Sequence, residues 1–362
     1  MQTDAMQAIL VREVGQFELT ELPVPEPGPG EALVRVSVTG LCRTDLKLIR
    51  HGHRDLELPR VPGEEVVGEI VALGPAAMPT GPRVSAGSPP SAGAGFAPGD
   101  RVYVYPGLWC GECPSCLRGA ENLCRGMRIM GFHRDGGFAG YVAVPLQSLI
   151  HVPAGLSDEQ AVFAEPLSCC LNALELGRVG EGDLLGIWGA GPAGTLLCRA
   201  GALLGAEPVV IEPDERRRDL VSASAGSPPR ARGYAAAPGS ADVAIVAAGS
   251  PEAYDEAFAA LAPRGRLVVF SGLLPEADRA FHVSLNSLHY HEHTVVGAYG
   301  CCFRHGEAAL ELLASGRLRV DDLITHRLPL AELERGLGIV ADRSGMKVHL
   351  YPPTSPSLRG TP

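Results

Sequence analysis

The run Leu184-Leu-Gly-Ile-Trp-Gly-Ala-Gly-Pro-Ala-Gly194 is the strongest indication of how the second half of this chain folds. Its first five residues are almost all apolar and predict a short buried strand, and the glycines after them predict a tight turn. The Ala- and Leu-rich residues from there to Leu204 predict a helix. Strand, glycine turn and helix in this order are typical of one unit of a parallel sheet.

The same alternation continues along the chain. Further strands are predicted at Val209-Val-Ile-Glu212, Val243-Ala-Ile-Val-Ala247 and Arg266-Leu-Val-Val-Phe270, with helix-like stretches between them. Strands that alternate with helices predict an α/β fold with a doubly wound parallel sheet. The segment between the first two of these strands is short and interrupted by Gly226-Ser-Pro-Pro, so one element there is predicted to be reduced.

The N-terminal half has a different pattern. Short apolar or alternating runs such as Ala32-Leu-Val-Arg-Val-Ser-Val38 are broken by Gly and Pro, which predicts an irregular β-rich domain. Pro75 to Ala97 is rich in Pro, Gly, Ala and Ser and is predicted to be a flexible surface insertion, because strand-like residues resume at Gly99-Asp-Arg-Val102. The helical pattern begins near Ser157.

The glycine turn has the pattern of a dinucleotide-binding site. Gly189, Gly191 and Gly194 match G-x-G-x-x-G, with Pro192 and Ala193 inside the motif. In such a turn the glycines allow the backbone to approach a pyrophosphate, which rests on the N-terminus of the following helix. The motif alone is weak, and an ordinary glycine-rich turn is the alternative. Its place after a strand and before a helix favours the cofactor site.

An acidic residue at the end of the next strand indicates which dinucleotide is bound. Glu212 lies 18 residues after Gly194, where a carboxylate can accept hydrogen bonds from both hydroxyls of the adenosine ribose. Its charge would repel a 2′-phosphate, so NAD is favoured over NADP. Arg216, Arg217 and Arg218 follow closely and could neutralise such a phosphate, Arg217 being a candidate contact to the cofactor. More simply, the three arginines form a solvated helix face.

Four cysteines, Cys110, Cys113, Cys116 and Cys124, have the spacing C-x2-C-x2-C-x7-C. Four thiolates this close in sequence can surround one Zn²⁺ tetrahedrally in a closed structural site, which does no chemistry itself. Unrelated cysteines or two disulfides are the alternative, although disulfides rarely need such short gaps. The tandem pairs Cys169-Cys170 and Cys301-Cys302 lack metal-type spacing and are predicted to be buried packing.

Composition limits the possible functions. A chain of 362 residues predicts two domains, and an apolar content of 46% is ordinary for a globular protein. The formal charge of −10 argues against nucleic acid and anionic membranes as partners. We find no basic, apolar leader and no uninterrupted apolar run of about 18 residues, so neither secretion nor membrane spanning is expected. The ten cysteines then indicate reduced thiols in the cytoplasm.

Several motifs together resemble one family. They are Gly40-Leu-Cys-Arg-Thr-Asp45, Pro62-Gly-Glu-Glu-Val-Val-Gly68, Gly99-Asp-Arg-Val102, the cysteine spacing, Ala164-Glu-Pro166 and the glycine turn. On these motifs the chain, from about Met6 to Tyr351, resembles the zinc-containing medium-chain dehydrogenases, which include alcohol, sorbitol and threonine dehydrogenases. The resemblance implies a GroES-like β-rich catalytic domain at 1–160 and 300–362, a Rossmann NAD-binding domain at 161–299, and an active-site zinc.

The resemblance also implies roles for single residues. Cys42 matches the family's first zinc ligand, and Glu165 matches the third ligand in the polyol branch. Thr44 matches the hydroxyl that passes the substrate's proton outward, and Asp45 matches a residue that steadies a ligand. Lys47 stands where many relatives have the histidine that ends the proton relay; a lysine can do this work when burial shifts its pKa, but a solvent-facing lysine is equally expected.

At the middle ligand the chain departs from the family, which has Gly-His-Glu where this chain has Gly63-Glu64-Glu65. Glu64 can replace the histidine, since a carboxylate oxygen binds Zn²⁺ at about the same distance, although three anionic ligands weaken its Lewis acidity. Alternatively, the zinc is lost. We favour a retained zinc because Cys42 and Glu165 persist. Glu65 is then a fourth ligand, a supporting group or a buried structural carboxylate.

Two functions are compatible with these observations. The first is a zinc-dependent oxidoreductase that moves hydride between NAD and a secondary alcohol or ketone of a polyol, cyclitol or amino-sugar-like substrate. The stretch Leu288 to Cys301 resembles the polyol and aminocyclitol branch, which suggests antibiotic biosynthesis and an amine-bearing small molecule. A homodimer or homotetramer is expected. The second is a metal-independent NAD(P)H ketone or enone reductase, or a non-catalytic dinucleotide-binding protein.

Overall fold

The computed structural model describes residues 5–75, 95–222, 230–232, 237–273, 278 and 283–353. The predicted insertion at Pro75 to Ala97 therefore lies almost entirely outside the described residues. The chain divides into two compact units, the first made of Met1–Glu165, Cys302–Ala314 and Ile324–Pro362, the second of Pro166–Cys301 and Ser315–Leu323. Each unit is described by itself.

In the described part, the strands are β1 Ala5–Glu13, β2 Gln16–Pro23, β3 Glu31–Leu41, β4 Glu65–Leu73, β5 Arg101–Val104, β6 Gly107–Leu108, β7 Arg128–Ile129, β8 Tyr141–Pro145, β9 Leu149–His151, β10 Leu184–Trp188, β11 Glu207–Ile211, β12 Arg230–Arg232, β13 Ala241–Val246, β14 Leu261–Val269, β15 Thr294–Gly297, β16 Ile324–Pro329 and β17 Lys347–Tyr351. The α-helices there are α1 Arg43–His51, α2 Pro114–Leu117, α3 Asp158–Ala161, α4 Ala164–Leu176, α5 Pro192–Leu203, α6 Glu215–Ser222, α7 Pro251–Ala259, α8 Leu285–His291, α9 Phe303–Ala314 and α10 Leu333–Asp342. Among these helices, none has the length and apolar character that crossing a membrane requires.

The first unit is built on a largely antiparallel sheet with the order β16-β17-β3-β4-β5-β9, and β8 also pairs with β3. Strand β17, from the C-terminal part of the chain, lies antiparallel to β3, so that His349 is opposite Gly40. On the other side of β3, Gly40 is opposite Glu65 of β4. Three strands that are distant in sequence therefore meet beside Cys42, at the end of β3.

The second unit contains a six-stranded parallel sheet with the order β12-β11-β10-β13-β14-β15. Strand β10 lies between β11 and β13, and the strand order reverses there, which makes it the topological switch point of the sheet. The adjacent residues Ile187 and Trp188, which face opposite sides of the strand, are 0% and 2% exposed, as expected for a strand covered on both faces. The reduced element predicted after Glu212 corresponds to the three-residue strand β12. The predicted α/β fold, a β-rich unit with a doubly wound parallel sheet, is confirmed.

Candidate active site and metal loop

The four-cysteine loop gathers its sulfur atoms. The Sγ atoms of Cys110, Cys113, Cys116 and Cys124 all lie within 4.8 Å of one another, and the described residues contain no other such set of three or more His, Cys, Asp or Glu groups. The Cys113–Cys116 and Cys110–Cys124 sulfur pairs are 3.5 Å apart. Tetrahedral Zn–S bonds of about 2.3 Å would place sulfurs roughly 3.8 Å apart, so the set fits one Zn²⁺.

Backbone amides prepare these sulfurs to bind a cation. The amide of Cys113 donates to Cys110 Sγ and the amide of Gly126 donates to Cys124 Sγ, both at 3.3 Å. Hydrogen bonds from the backbone of Cys116 and of Arg125 lower the pKa of Cys113 to about 6. Such donors favour the thiolate, which is the form that binds zinc. All ten cysteines are free, so the disulfide alternative is excluded in this structure.

The glycine turn between β10 and α5 has the close approaches that its motif predicts. Gly189 has a φ of 112°, which disfavours any residue with a side chain. A Cβ on Gly194 would lie 1.9 Å from the carbonyl oxygen of Gly189, so only glycine lets the helix start against the turn. Pro192, with Ala193 behind it, is the first residue of α5, where its missing amide hydrogen costs no helical hydrogen bond.

Glu212 follows β11 and reaches into this turn. Glu212 is only 6% exposed. Its Oε2 accepts a hydrogen bond from the amide of Ala190 (2.9 Å), and its Oε1 accepts one from the amide of Asp214 (3.1 Å). Two backbone donors thus fix the carboxylate beside the glycine turn. Each oxygen keeps a further lone pair that could accept from a ribose hydroxyl.

The three arginines after Glu212 have different surroundings. Arg216 is exposed and lies 3.5 Å from Asp214, whereas Arg218 donates to the carbonyl oxygens of Glu212 (2.7 Å) and Pro213 (2.8 Å). Arg217 is buried, with Nη1 3.5 Å from the carbonyl oxygen of Ala190 and 3.6 Å from a Cβ built on Gly191. The expected solvated face is therefore wrong for Arg217, which is buried, whereas Arg218 is partly exposed. Consecutive helical residues point about 100° apart, so three in a row cannot share one face.

The second candidate site surrounds Cys42, which caps the N-terminus of α1. The buried carboxylate of Asp45 accepts a hydrogen bond from the amide of Cys42 (2.8 Å) and is also bonded by the backbone of Gly63. Burial raises the pKa of Asp45 to about 7, against the lowering effect of these bonds. The Cys42 thiol donates to Thr44 Oγ1 at 3.6 Å, and Thr44 is exposed. Asp45 thus links the backbone at Cys42, just after β3, to the backbone at Gly63, just before Glu64.

Lys47 lies one turn further along α1 and is partly buried. Burial and the neighbouring guanidinium of Arg43 lower its pKa, while the Cys42 thiolate would raise it. A lysine with a lowered pKa exchanges protons more readily near neutral pH. The pKa of the Lys47 amine thus responds to the charge on Cys42, and its role in a proton relay stays a prediction.

Glu65 is held by a partner that sequence reasoning missed. Lys347 Nζ donates to Glu65 Oε1 in a fully buried ion pair, and Glu65 Oε2 has no hydrogen-bond partner in the described structure. A Cβ on Gly40 would lie 1.8 Å from that Oε2 and 3.0 Å from Lys347 Cε. Gly40 is therefore required because its missing side chain leaves room for the pair. The signal in the sequence was a lysine inside the apolar strand Lys347-Val-His-Leu.

The surroundings of the Cys42 sulfur are rich in negative charge. Burial raises the pKa of Cys42, the carboxylates of Glu65, Asp45 and Glu165 raise it further, and the Lys347 ammonium lowers it. Because Lys347 is paired with Glu65, the carboxylates of Glu165 and Asp45 give the surroundings of Cys42 a negative character, which suits a divalent cation. Sulfur and carboxylate oxygen are both donors that Zn²⁺ accepts.

The predicted ligands are only partly gathered. No three of Cys42, Glu64, Glu65 and Glu165 bring their ligand atoms within 4.8 Å of one another. Glu64 is half-buried, and its Cγ lies 3.6 Å from a Cβ built on Gly131, in the loop after β7. Glu165 is buried in the first turn of α4. The thiol and carboxylate groups of these four residues are donor types that Zn²⁺ accepts, but the residues themselves stay predicted ligands.

Known proteins share both halves of this architecture. Residues 28–154 match the alcohol dehydrogenase GroES-like domain, and residues 192–315 match the zinc-binding dehydrogenase domain. L-threonine 3-dehydrogenase of Pyrococcus horikoshii is 31% identical over 349 residues, covering 90% of this chain and 92% of that protein. D-altritol 5-dehydrogenase of Agrobacterium fabrum is 31% identical over 339 residues, covering 91% and 94%.

A solved structure agrees with these matches. A zinc-binding dehydrogenase from Sinorhizobium meliloti 1021, bound to NADP, is 30% identical and superposes with a TM-score of 0.81 over 96% of this chain and 100% of its own. Matches of this extent, together with the glycine turn and the cysteine loop, leave one family. The chain belongs to the zinc-containing medium-chain dehydrogenases and is an NAD(P)-dependent alcohol dehydrogenase of that family.

Proposed function

We propose that this chain transfers hydride between NAD and a secondary alcohol or ketone of a polyol or cyclitol, with a zinc ion at Cys42. The observation that carries the proposal is the set of three carboxylates, Glu65, Asp45 and Glu165, whose charges act on the Cys42 sulfur together with the buried ammonium of Lys347. Such a site is unfavourable until a further positive charge enters it. Relatives named for altritol and for erythritol and threitol support a polyol substrate.

In this mechanism Cys42, Glu64 and Glu165 would hold the metal, which supplies Lewis acidity to a substrate hydroxyl. Asp45 orients Cys42 through its backbone amide. Lys347 engages one oxygen of Glu65 and offsets part of the negative charge. Thr44, whose hydroxyl lies next to the Cys42 sulfur, accepts the substrate proton, and Lys47 passes it to solvent.

The proposal of NAD rather than NADP rests on Glu212. Its carboxylate is fixed by two backbone amides, so it cannot easily move away from a 2′-phosphate. Arg218 is engaged by carbonyl oxygens and Arg216 lies beside Asp214. The burial of Arg217 beside the Ala190 carbonyl oxygen supports a contact with the cofactor's phosphates or ribose rather than with solvent. The NADP in the Sinorhizobium relative makes this preference worth a direct measurement.

Finer assignments belong to the same proposal. Within the polyol class we favour a cyclitol or amino-sugar-like substrate, because an acidic chain of net charge −10 suits an ammonium group. The proposed role in antibiotic biosynthesis rests on the stretch Leu288 to Cys301, which resembles the aminocyclitol branch. We propose a homodimer or homotetramer that works in the cytoplasm. The domain boundaries 1–160, 161–299 and 300–362 are proposed on the family resemblance alone.

A metal-independent ketone or enone reductase is the second candidate. It is favoured by one observation, that no three of the four predicted ligands lie within 4.8 Å of one another. In that case the buried ammonium of Lys347, which acts electrostatically on Cys42, would be a positive charge available at this place. The same fold and cofactor turn would then serve a reaction in which protein groups alone polarise the carbonyl.

Zinc content separates the two candidates. We expect two zinc ions per purified chain, one ion after Cys42→Ser, and loss of polyol oxidation with NAD in that variant. Cys198→Ala is the matched control, since Cys198 is a buried thiol of the second unit, outside both sites. One zinc ion in the wild-type chain, with turnover unaffected by Cys42→Ser, would favour the metal-independent reductase.

A further inference from the structure

The four-cysteine loop contacts the residues at which the chain returns to the first unit. That unit contains the loop and, after the long second segment, resumes at Cys302. Cys302 is followed directly by α9, so the residues just before and within the first turn of α9 lie against the loop. Cys302 is 2% exposed and Phe303 9% exposed, so this junction is buried.

Hydrogen bonds join the junction to the part of the loop between its last two cysteines. The Cys302 Sγ lies 3.4 Å from the carbonyl oxygen of Gly119 and 3.2 Å from Oδ1 of Asn122, and these two acceptors share its single thiol proton. The amide of Phe303 donates to Oε1 of Glu121 at 2.8 Å. All three acceptors lie between Cys116 and Cys124, two of the predicted zinc ligands.

The bond to Glu121 has the character of a helix cap. Phe303 is the first residue of α9, and an amide at that position has no acceptor within its own helix. The first turn of α9 contains no acidic residue, so the negative charge that favours a helix N-terminus comes from Glu121 in the loop. The loop therefore provides the acidic acceptor at the N-terminus of α9 that the first turn of this helix does not contain.

Aromatic packing reinforces the junction. The Phe303 ring lies 5.6 Å from the Trp109 ring and 5.7 Å from the Tyr105 ring, measured between centroids. Trp109 directly precedes Cys110, the first cysteine of the loop. Movement of the loop would therefore disturb both the cap and the aromatic contacts.

The loop has few other means of keeping its shape. Its regular elements are the four-residue helix α2 and a three-residue 3-10 turn at Glu121–Leu123. Leu117 and Leu123 are exposed, at 66% and 56%. A segment without an apolar core is ordered mainly by its metal, because binding free energy then serves as folding free energy.

We propose that the cysteine loop, when it holds zinc, is an external N-terminal cap for α9, so that metal occupancy controls the order of residues 302–314. The chain re-enters the first unit at this segment, so the loop orders the start of α9 in addition to its own residues. Glu121, Asn122 and the Gly119 carbonyl are the positioning groups. The inference rests on zinc in the loop and is independent of the reaction at Cys42.

Hydrogen exchange of the full-length, zinc-loaded protein tests the cap. Glu121→Gln should speed exchange of the amides in the first turn of α9 roughly fivefold, with zinc content unchanged, because it removes the charge of the cap and keeps the loop ligands. Glu112→Gln is the control: it makes the same charge change within the loop, at an exposed position. Equal exchange in the two variants and the wild type would overturn the capping role.

Removal of the metal tests whether zinc in the loop controls the order of α9. Cys113→Ser should lose one zinc ion and speed exchange throughout 303–314, whereas Cys198→Ala should do neither. If Cys113→Ser does not fold, stepwise release of zinc from the wild-type protein by a thiol reagent gives the same comparison, with exchange in α9 rising in proportion to the first ion released. Exchange in α9 that stays constant while the loop loses its zinc refutes the proposal, whatever happens to catalysis.

Discussion

His349 in β17 offers the sharpest test of the energetics of the first unit. Its side chain is fully buried, and neither ring nitrogen has a hydrogen-bond partner in the described structure. Burial, together with the charges of Lys347 and Arg327, lowers its pKa from 6.5 to about 3, against the raising effect of Glu159. The histidine is therefore neutral in the folded protein at pH values well above 3. We predict that His349→Leu stabilises the protein, and more so in acid.

The sign and size follow from proton linkage. Below pH 6.5 the unfolded chain binds a proton at this position and the folded chain does not, so stability falls as pH drops from 6.5 towards 3. At pH 5 the two pKa values correspond to a loss of about 2 kcal/mol, and at pH 7.5 to almost none. Removing two buried, unsatisfied nitrogens adds about 1 kcal/mol at either pH.

Urea unfolding at pH 7.5 and pH 5 measures both terms. The chain has two tryptophans, and Trp109 lies in the first unit, so a Trp188→Phe background makes fluorescence specific for that unit. His349→Leu should exceed its parent by about 1 kcal/mol at pH 7.5 and by about 3 kcal/mol at pH 5. His51→Leu, at an exposed histidine of α1, is the control. A gain that is the same at both pH values would refute the reasoning, because it would mean that His349 is not held neutral.

Three further predictions concern the two sites. Gly40→Ala should lower the free energy of unfolding by at least about 2 kcal/mol and reduce kcat, because its Cβ would lie 1.8 Å from Glu65 Oε2; a urea curve like the wild type's would contradict this packing argument. Glu212→Gln should raise the ratio of kcat/KM for NADP to that for NAD roughly tenfold, and an unchanged ratio would assign the preference to the arginines. Glu64→Gln should lose the zinc at Cys42 and most activity, whereas Glu64→His should keep that zinc; two zinc ions and normal turnover in Glu64→Gln would remove Glu64 from the ligand set.

The features that the sequence predicted correctly are those determined by residues close together in the chain. The glycine turn was predictable because Gly189 and Gly194 meet constraints set within a few residues, a positive φ and a backbone contact. The cysteine loop was predictable because its four ligands lie within one short stretch. In both cases spacing along the chain carries the geometry. The fold class and the family were confirmed on such features.

The parts that were missed depend on distant pairing. Lys347 meets Glu65 only because β17 is the neighbour of β3, which no pattern within either strand reveals. The inward position of Arg217 depends on where α6 starts, and helix starts are uncertain by a residue or two. The role of Glu64 stays a prediction, because its place beside Gly131 is set by a loop rather than by a regular element.

The ion pair between Glu65 and Lys347 also constrains how the protein is made. The two residues are 282 positions apart, so at about 5–20 residues per second the ribosome adds Lys347 roughly 15–60 seconds after Glu65. During that interval the second unit, which lies wholly between them in sequence, can emerge and fold. The first sheet, lacking β17, must wait with a carboxylate that has no counter-ion. The nascent chain can therefore assemble its cofactor-binding half before the half that carries Cys42 is complete.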